Sequence, residues 1–143
     1  MGDLVTEAVS GTLYYAEKSV FDRVLSANAT TKEKSARFAD LARLNTLYMI
    51  ANAGSGHIGS SFSSLDLVTW LSTVAAHADD VFFSSKGHDA PGLYSVLIAK
   101  GILPFEKLHQ LRRSDGLPGH PDIAVPGMVT NTGSLGMGIS KAK

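Results

Sequence analysis

Three histidines in this chain stand beside glycine, in Ser55-Gly56-His57-Ile58-Gly59, Ser85-Lys86-Gly87-His88 and Gly119-His120-Pro121-Asp122. Imidazole titrates near neutral pH, so each ring can donate to an anion when charged or move a proton when neutral. A fourth glycine-rich turn, Thr132-Gly133-Ser134-Leu135-Gly136-Met137-Gly138, reads as a loop entering a helix. Free N–H groups at such a boundary suit an anion. One histidine beside glycine is more often a turn residue than a catalyst. Three of them, with a fourth glycine turn following, have the layout of an active-site cleft.

Helices and a strand must position these turns. Thr30-Thr31-Lys32-Glu33 offers a capping box that opens a helix, with Phe38, Leu41, Leu44 and Tyr48 on one face and Ala53-Gly54 at its end. Ser63 or Ser64 can cap a second helix carrying Leu67, Val68, Leu71, Val74 and Ala75 at helical spacing. Val81-Phe82-Phe83-Ser84 suits one buried strand of a parallel sheet, which puts the second histidine turn at the carboxyl edge where open α/β sheets bind ligands. Pro91 falls in the first turn of the next helix, with Leu93, Val96 and Leu97 inward and Lys100-Gly101 as its stop. Pro104 opens another helix through Leu111, with Leu108 and Leu111 inward. Residues 114–131 form a loop, and residues 136–143 begin a last helix. Residues 1–29 read as an extension whose Leu13, Tyr14, Val20, Phe21, Val24 and Leu25 make a helical stripe.

Composition excludes several classes. The chain has 143 residues and 44% hydrophobic content, enough for one modest core, so one domain or a piece of one is expected. Thirteen basic and thirteen acidic residues cancel with no basic run, which argues against a nucleic-acid partner. The absence of cysteine rules out disulfides and cysteine-ligated zinc. The best apolar segment, residues 65–78, is too short for a bilayer and carries Asp66 and His77, so no membrane partner is expected. The start Met1-Gly2-Asp3-Leu4 lacks a basic flank, which leaves the cytoplasm as the expected location; the bare Gly2/Thr6 myristoylation pattern has no other support.

The order and wording of the four glycine segments resemble the N-terminal, diphosphate-binding domain of transketolase, a thiamin-diphosphate enzyme. The most specific stretches are Ser84-Ser85-Lys86-Gly87-His88-Asp89-Ala90-Pro91-Gly92-Leu93-Tyr94 and Leu117-Pro118-Gly119-His120-Pro121-Asp122, within a likeness running from about residue 40 to 143. Ile58 stands where the family commonly has proline, and the family's Gly-Asp-Gly metal motif does not occur. The resemblance implies an α/β class: a partial thiamin-diphosphate-binding fold, helix-rich with a few parallel strands, an incomplete domain over residues 30–143 behind the 1–29 extension. It implies that His88 hydrogen-bonds the diphosphate and that His57 and His120 contact the substrate and act in catalysis. Gly133, Ser134 and Leu135 would meet the cofactor through the backbone.

No metal ligand is expected in this chain. By the same resemblance, the Mg²⁺ or Ca²⁺ ligands and the activating glutamate come from other polypeptide, whether complementary transketolase chains or a homo-oligomer. The implied reaction moves a two-carbon ketol unit from a ketose phosphate to an aldose phosphate in pentose phosphate metabolism. Two alternatives stand beside it. One is another thiamin-diphosphate ketol transferase, such as a dihydroxyacetone or deoxyxylulose synthase; the other is a non-catalytic binding or assembly remnant of the fold. Lys86, His77 and His109 read as surface or boundary residues, Asp66, Asp89, Asp115 and Asp122 as caps or solvated groups, and the tyrosines as packing.

Overall fold

The computed structural model describes residues 11–77 and 79–143. In chain order it contains α1 (Lys18–Ser26), α2 (Thr31–Ala53), α3 (Ile58–Trp70) with a π-helical turn at Leu71–Ala75, α4 (Ala90–Ala99), a 3₁₀ turn at Phe105–His109 and α5 (Gly138–Ala142). Residues 1–10, with the Gly2/Thr6 pattern and the start of the extension, lie outside the described residues, as does Ala78.

Helix α2 begins where the capping box predicts. The Thr30 hydroxyl accepts from Glu33 N–H at 3.3 Å while the Glu33 carboxylate accepts from Thr30 N–H at 2.9 Å. Hydrogen bonds from Thr30 to that carboxylate hold the Glu33 carboxyl below its ordinary pKa. The helix ends at Gly54 in the left-handed conformation. Its inward face differs from the expected one: Phe38, Ala39, Ala42, Asn45, Thr46, Met49 and Ile50 are buried, while Leu44 is exposed. The inward stripe is built partly from small and polar residues, which a count of large apolar side chains passes over.

Helix α3 starts at Ile58, not at Ser63 or Ser64. Both serines lie inside it and return their hydroxyls to the Ser60 and Ser61 carbonyls, the local bonding open to serine in a helix interior. Ser61, Leu65, Val68 and Thr69 face the core, and Leu67 is exposed. The turn after Pro104 is a short 3₁₀ segment rather than a helix through Leu111. Leu111 pairs with Leu117 in an isolated parallel bridge, although Leu108 and Leu111 are inward as expected.

Helix α4 is central and buried on nearly every side, from Ala90 to Ala99. One apolar cluster joins Tyr94 and Ile98 to Met49, Ile50, Leu103, Leu108, Leu111 and Leu117. A second joins Leu93 and Val96 to Phe21, Phe38, Ala42, Leu65 and Val68. The nine-residue α1 is too short to persist alone in water, and burial of Phe21 against Phe38, rings 4.9 Å apart, holds it in place. Just before α1, Asn45 accepts from Ala16 N–H at 2.7 Å and donates to Ala16 C=O at 3.0 Å. Leu13 and Tyr14 precede the helix and are exposed, so the expected stripe breaks there.

No strand forms among the described residues. Val81-Phe82-Phe83-Ser84 is irregular backbone, because a strand requires a neighbour for its ladder and these residues have no backbone partner among those described. The helix-rich part of the expected class is therefore present, and its parallel strands do not occur among the described residues.

Candidate active site

The three glycine-flanked histidines come from separate segments and meet. His57 closes the turn between α2 and α3, His88 precedes α4, and His120 lies in the long loop after the Leu111–Leu117 bridge. Ring centroids are 4.5 Å apart for His57–His88, 5.0 Å for His88–His120 and 6.1 Å for His57–His120. One nitrogen from each lies within 4.8 Å of the other two.

Each ring is placed by different means. His88 is held by its own turn: its Nδ1 donates to the Lys86 carbonyl at 2.7 Å, leaving Nε2 bare in the neutral ring. The turn depends on Gly87, whose φ of 61° suits glycine and whose missing Cβ would stand 2.8 Å from the Thr132 carbonyl oxygen. His120 is placed from below. The hydroxyl of the fully buried Tyr94 donates to the His120 carbonyl at 3.0 Å, and burial pushes the Tyr94 pKa well up, so that hydroxyl keeps its proton. Nε2 of His120 is buried without a partner. Burial, then the neighbouring His88, His57 and Arg112, hold the His120 pKa below its ordinary value, favouring the neutral ring. His57 is exposed and free to turn.

The second and fourth glycine turns are stitched together. Gly138 N–H donates to Ser85 Oγ at 2.8 Å, and Gly87 packs on Thr132. Lys86 is tied down as well, its ammonium on the Ser60 carbonyl at 2.7 Å, so it is not the solvated surface lysine expected. Gly133 and Ser134 line an open cleft of about 590 Å³ with His120, Asn131, Thr132 and Met137. Leu135 is exposed and is not among the cleft's lining residues.

Several residues differ from their sequence reading. Asp89 stands at the N-cap position of α4, but its side chain makes no capping bond and is not solvated. It is buried, one oxygen accepts from Ser84 Oγ at 2.7 Å, and the other has no partner. Tyr94 does more than pack. Arg112, which the sequence reading passed over, has φ 56° and sends its guanidinium to Ser55 Oγ at 3.1 Å beside the histidines. Only an alignment of loops in space reveals it, since no helical or strand period includes it. His77 and His109 stay apart from the cluster: His77 is exposed, and His109 packs against Tyr15 and Tyr48. Asp66 pairs with Arg43, and Asp122 accepts from Ala124 N–H at 2.8 Å.

Three glycine turns thus bring their imidazoles to one place, and comparison with known proteins shows the class of domain that carries them. Residues 34–143 match the family described as transketolase, thiamine diphosphate binding domain, and the chain belongs to that family. It is 36% identical over 108 residues to an apulose-4-phosphate transketolase subunit of Phocaeicola vulgatus, a match covering 68% of this chain and 38% of that protein. It is 36% identical over 115 residues to the 6-deoxy-6-sulfo-D-fructose transketolase subunit SqwG of a Clostridium species, covering 73% and 42%. Transketolase of Mus musculus is 36% identical over 114 residues, covering 73% of this chain and 18% of the mouse protein. The chain thus spans well under half the length of these relatives.

Proposed function

We propose that this chain forms one wall of the active site of a transketolase-type transferase, contributing contacts to thiamin diphosphate and to a ketose phosphate donor, with other polypeptide completing the site. The observation that carries this reading is the convergence of His57, His88 and His120 from three separate turns, with His120 lining the cleft that Gly133 also lines. The residues fit the coenzyme. Polar capacity stands unmet at His120 Nε2 and Thr132 Oγ1, and nothing lies within 4 Å of where a Cβ on Gly133 would be, so a ligand can approach that backbone.

When bound, thiamin diphosphate supplies an electron sink for the pair released as the bond beside a ketose carbonyl breaks. The protein's part is orientation and proton movement. His88, with Nδ1 committed to Lys86, offers Nε2 to a diphosphate oxygen when charged. His120, held neutral by burial, accepts a proton from a donor hydroxyl, and the exposed His57 shares that duty at the carbonyl end. Gly133, Ser134 and Leu135 offer backbone groups to the aminopyrimidine, and Arg112 adds positive charge for the substrate phosphate. The Mg²⁺ or Ca²⁺ ligands are assigned outside these 143 residues, which match only 38% and 42% of the two relatives named as subunits.

The same reading assigns residues 1–29 to an extension and 30–143 to the coenzyme domain, and gives the assembly a cytoplasmic place. It also gives Val81–Ser84 a role as a strand of a parallel sheet in the assembled enzyme. Its unpaired backbone and its position along an apolar groove of about 490 Å³, which Val129 and Thr130 also line, support that role.

The test is His88→Ala in the assembled enzyme. Loss of one charge-assisted contact should raise the thiamin diphosphate concentration for half-maximal activity about tenfold or more, with little change in KM for xylulose 5-phosphate. The reverse pattern refutes the assignment of His88.

A further inference from the structure

The histidine trio has a second capability that does not depend on a coenzyme. The geometry points to His57, His88 and His120 forming a three-imidazole site for a divalent transition-metal ion of the Zn²⁺ class. Their ligand nitrogens already lie within 4.8 Å of one another. A tetrahedral zinc bound at about 2.0–2.1 Å needs them about 3.3 Å apart, so the closure required is about 1.5 Å or less. Rotation of the exposed His57 shortens its distances to the other two, and the remaining closure between His88 and His120, ring centroids 5.0 Å apart, falls to the loop that carries His120.

Two features go beyond proximity. His88 donates Nδ1–H to a backbone carbonyl at 2.7 Å, the outer contact that fixes a metal-binding imidazole in the tautomer with a bare Nε2. His120 presents a buried Nε2 with no hydrogen-bond partner, which offers a free lone pair in the tautomer protonated at Nδ1. Neutral imidazoles suit Zn²⁺, Co²⁺ and Ni²⁺, whereas Mg²⁺ and Ca²⁺ prefer oxygen. No carboxylate belongs to the cluster among the described residues. Arg112 stands alongside with its guanidinium tied to Ser55, and its charge favours an anion or hydroxide over water as the fourth ligand. This assignment needs no coenzyme, and because it uses the His88 nitrogen offered to a diphosphate in the proposed function, the metal and thiamin diphosphate would compete for the site.

The experiment titrates the untagged chain with Co²⁺, free of thiamin diphosphate, and follows visible absorption, then adds Zn²⁺. One equivalent of Co²⁺ should give the intense spectrum of a four-coordinate ion, and Zn²⁺ should abolish it. His57→Ala should weaken Co²⁺ binding at least about tenfold, the loss of one of three ligands. Because His57 is exposed, that variant should keep the helical circular dichroism of the parent. His88→Gln and His120→Gln should behave alike, and His77→Ala should bind as the parent does. A weak six-coordinate spectrum, or equal Co²⁺ affinity in the parent and a folded His57→Ala, overturns the proposal.

Discussion

The helical body and the loop side of this molecule treat buried polar groups in opposite ways. In the body, Asn45 bonds Ala16 twice, Thr46 and Ser95 both donate to the Ala42 carbonyl, and Thr69 donates to Leu65. On the loop side and at the start of α4, Asp89 Oδ1, His120 Nε2 and Thr132 Oγ1 are buried with no protein partner, whereas in the body Ser61 Oγ, in the first turn of α3, is the one such atom among the described residues. A buried polar atom left unpaired costs about 1–3 kcal/mol, so such atoms gathered in one region mark where the fold has given up stability. Ser61 apart, the body is a satisfied scaffold, and the loops carry most of the unmet polar capacity.

The sharpest way to break the contrast is Asn45→Leu. It leaves Ala16 N–H and C=O buried without partners and should cost about 2–4 kcal/mol in urea unfolding, with faster amide exchange through α1. A loss within error of zero would mean that the body is no better satisfied than the loops. Next in size is Gly87→Ala. A left-handed conformation costs a residue with a Cβ about 1–2 kcal/mol, and the methyl group must also displace the Thr132 carbonyl. Gly101→Ala is the control: its φ of 73° imposes the same conformational cost, but its Cβ would meet only the flexible end of Lys18. Imidazole NMR signals of His88 and His120 should move in the first variant and stay in the second.

The body was the more legible half because its signals are local. The capping box at Thr30 and Glu33, the glycine stop at Gly54 and the proline start of α4 each act within one turn of chain, so sequence alone placed them. What it misread had distant causes. Leu44 and Leu67 match a helical period yet face outward, since the inward positions are taken by Ala42, Asn45 and Ser61 packing closely between α2, α3 and α4. Val81–Ser84 has strand composition, but pairing is a property of two segments, and no segment among the described residues pairs with it. At the site, glycine and histidine in the turns announced the trio. Tyr94, Arg112 and Asp89 act across loops, and no spacing encodes that.

Acid should separate the two regions further. The His120 pKa is held below its ordinary 6.5, so the folded state prefers the neutral ring and the unfolded chain binds the proton more readily. Stability from this group is complete above about pH 6.5 and falls as pH drops through the folded pKa. Melting temperature measured from neutral to acid should therefore decline more steeply in the parent than in His120→Gln. Equal slopes would show that the ring is not strained by its surroundings.

The smallest effect is the most pointed. Thr132→Val and Thr69→Val make the same chemical change at two buried sites. At Thr69 the hydroxyl donates to Leu65 at 2.7 Å, so its removal forfeits a bond worth about 1 kcal/mol. At Thr132 the hydroxyl has no partner, and replacing it with a methyl group removes an unmet desolvation penalty, so stability should hold or rise slightly, within about 0.5 kcal/mol. If the coenzyme reading is right, Thr132→Val should nevertheless weaken thiamin diphosphate binding in the assembled enzyme, because the hydroxyl kept at a cost to folding is one that the ligand uses. A variant that gains stability and loses nothing in binding would mean that the unpaired groups on the loop side are defects of packing and not provisions for a ligand.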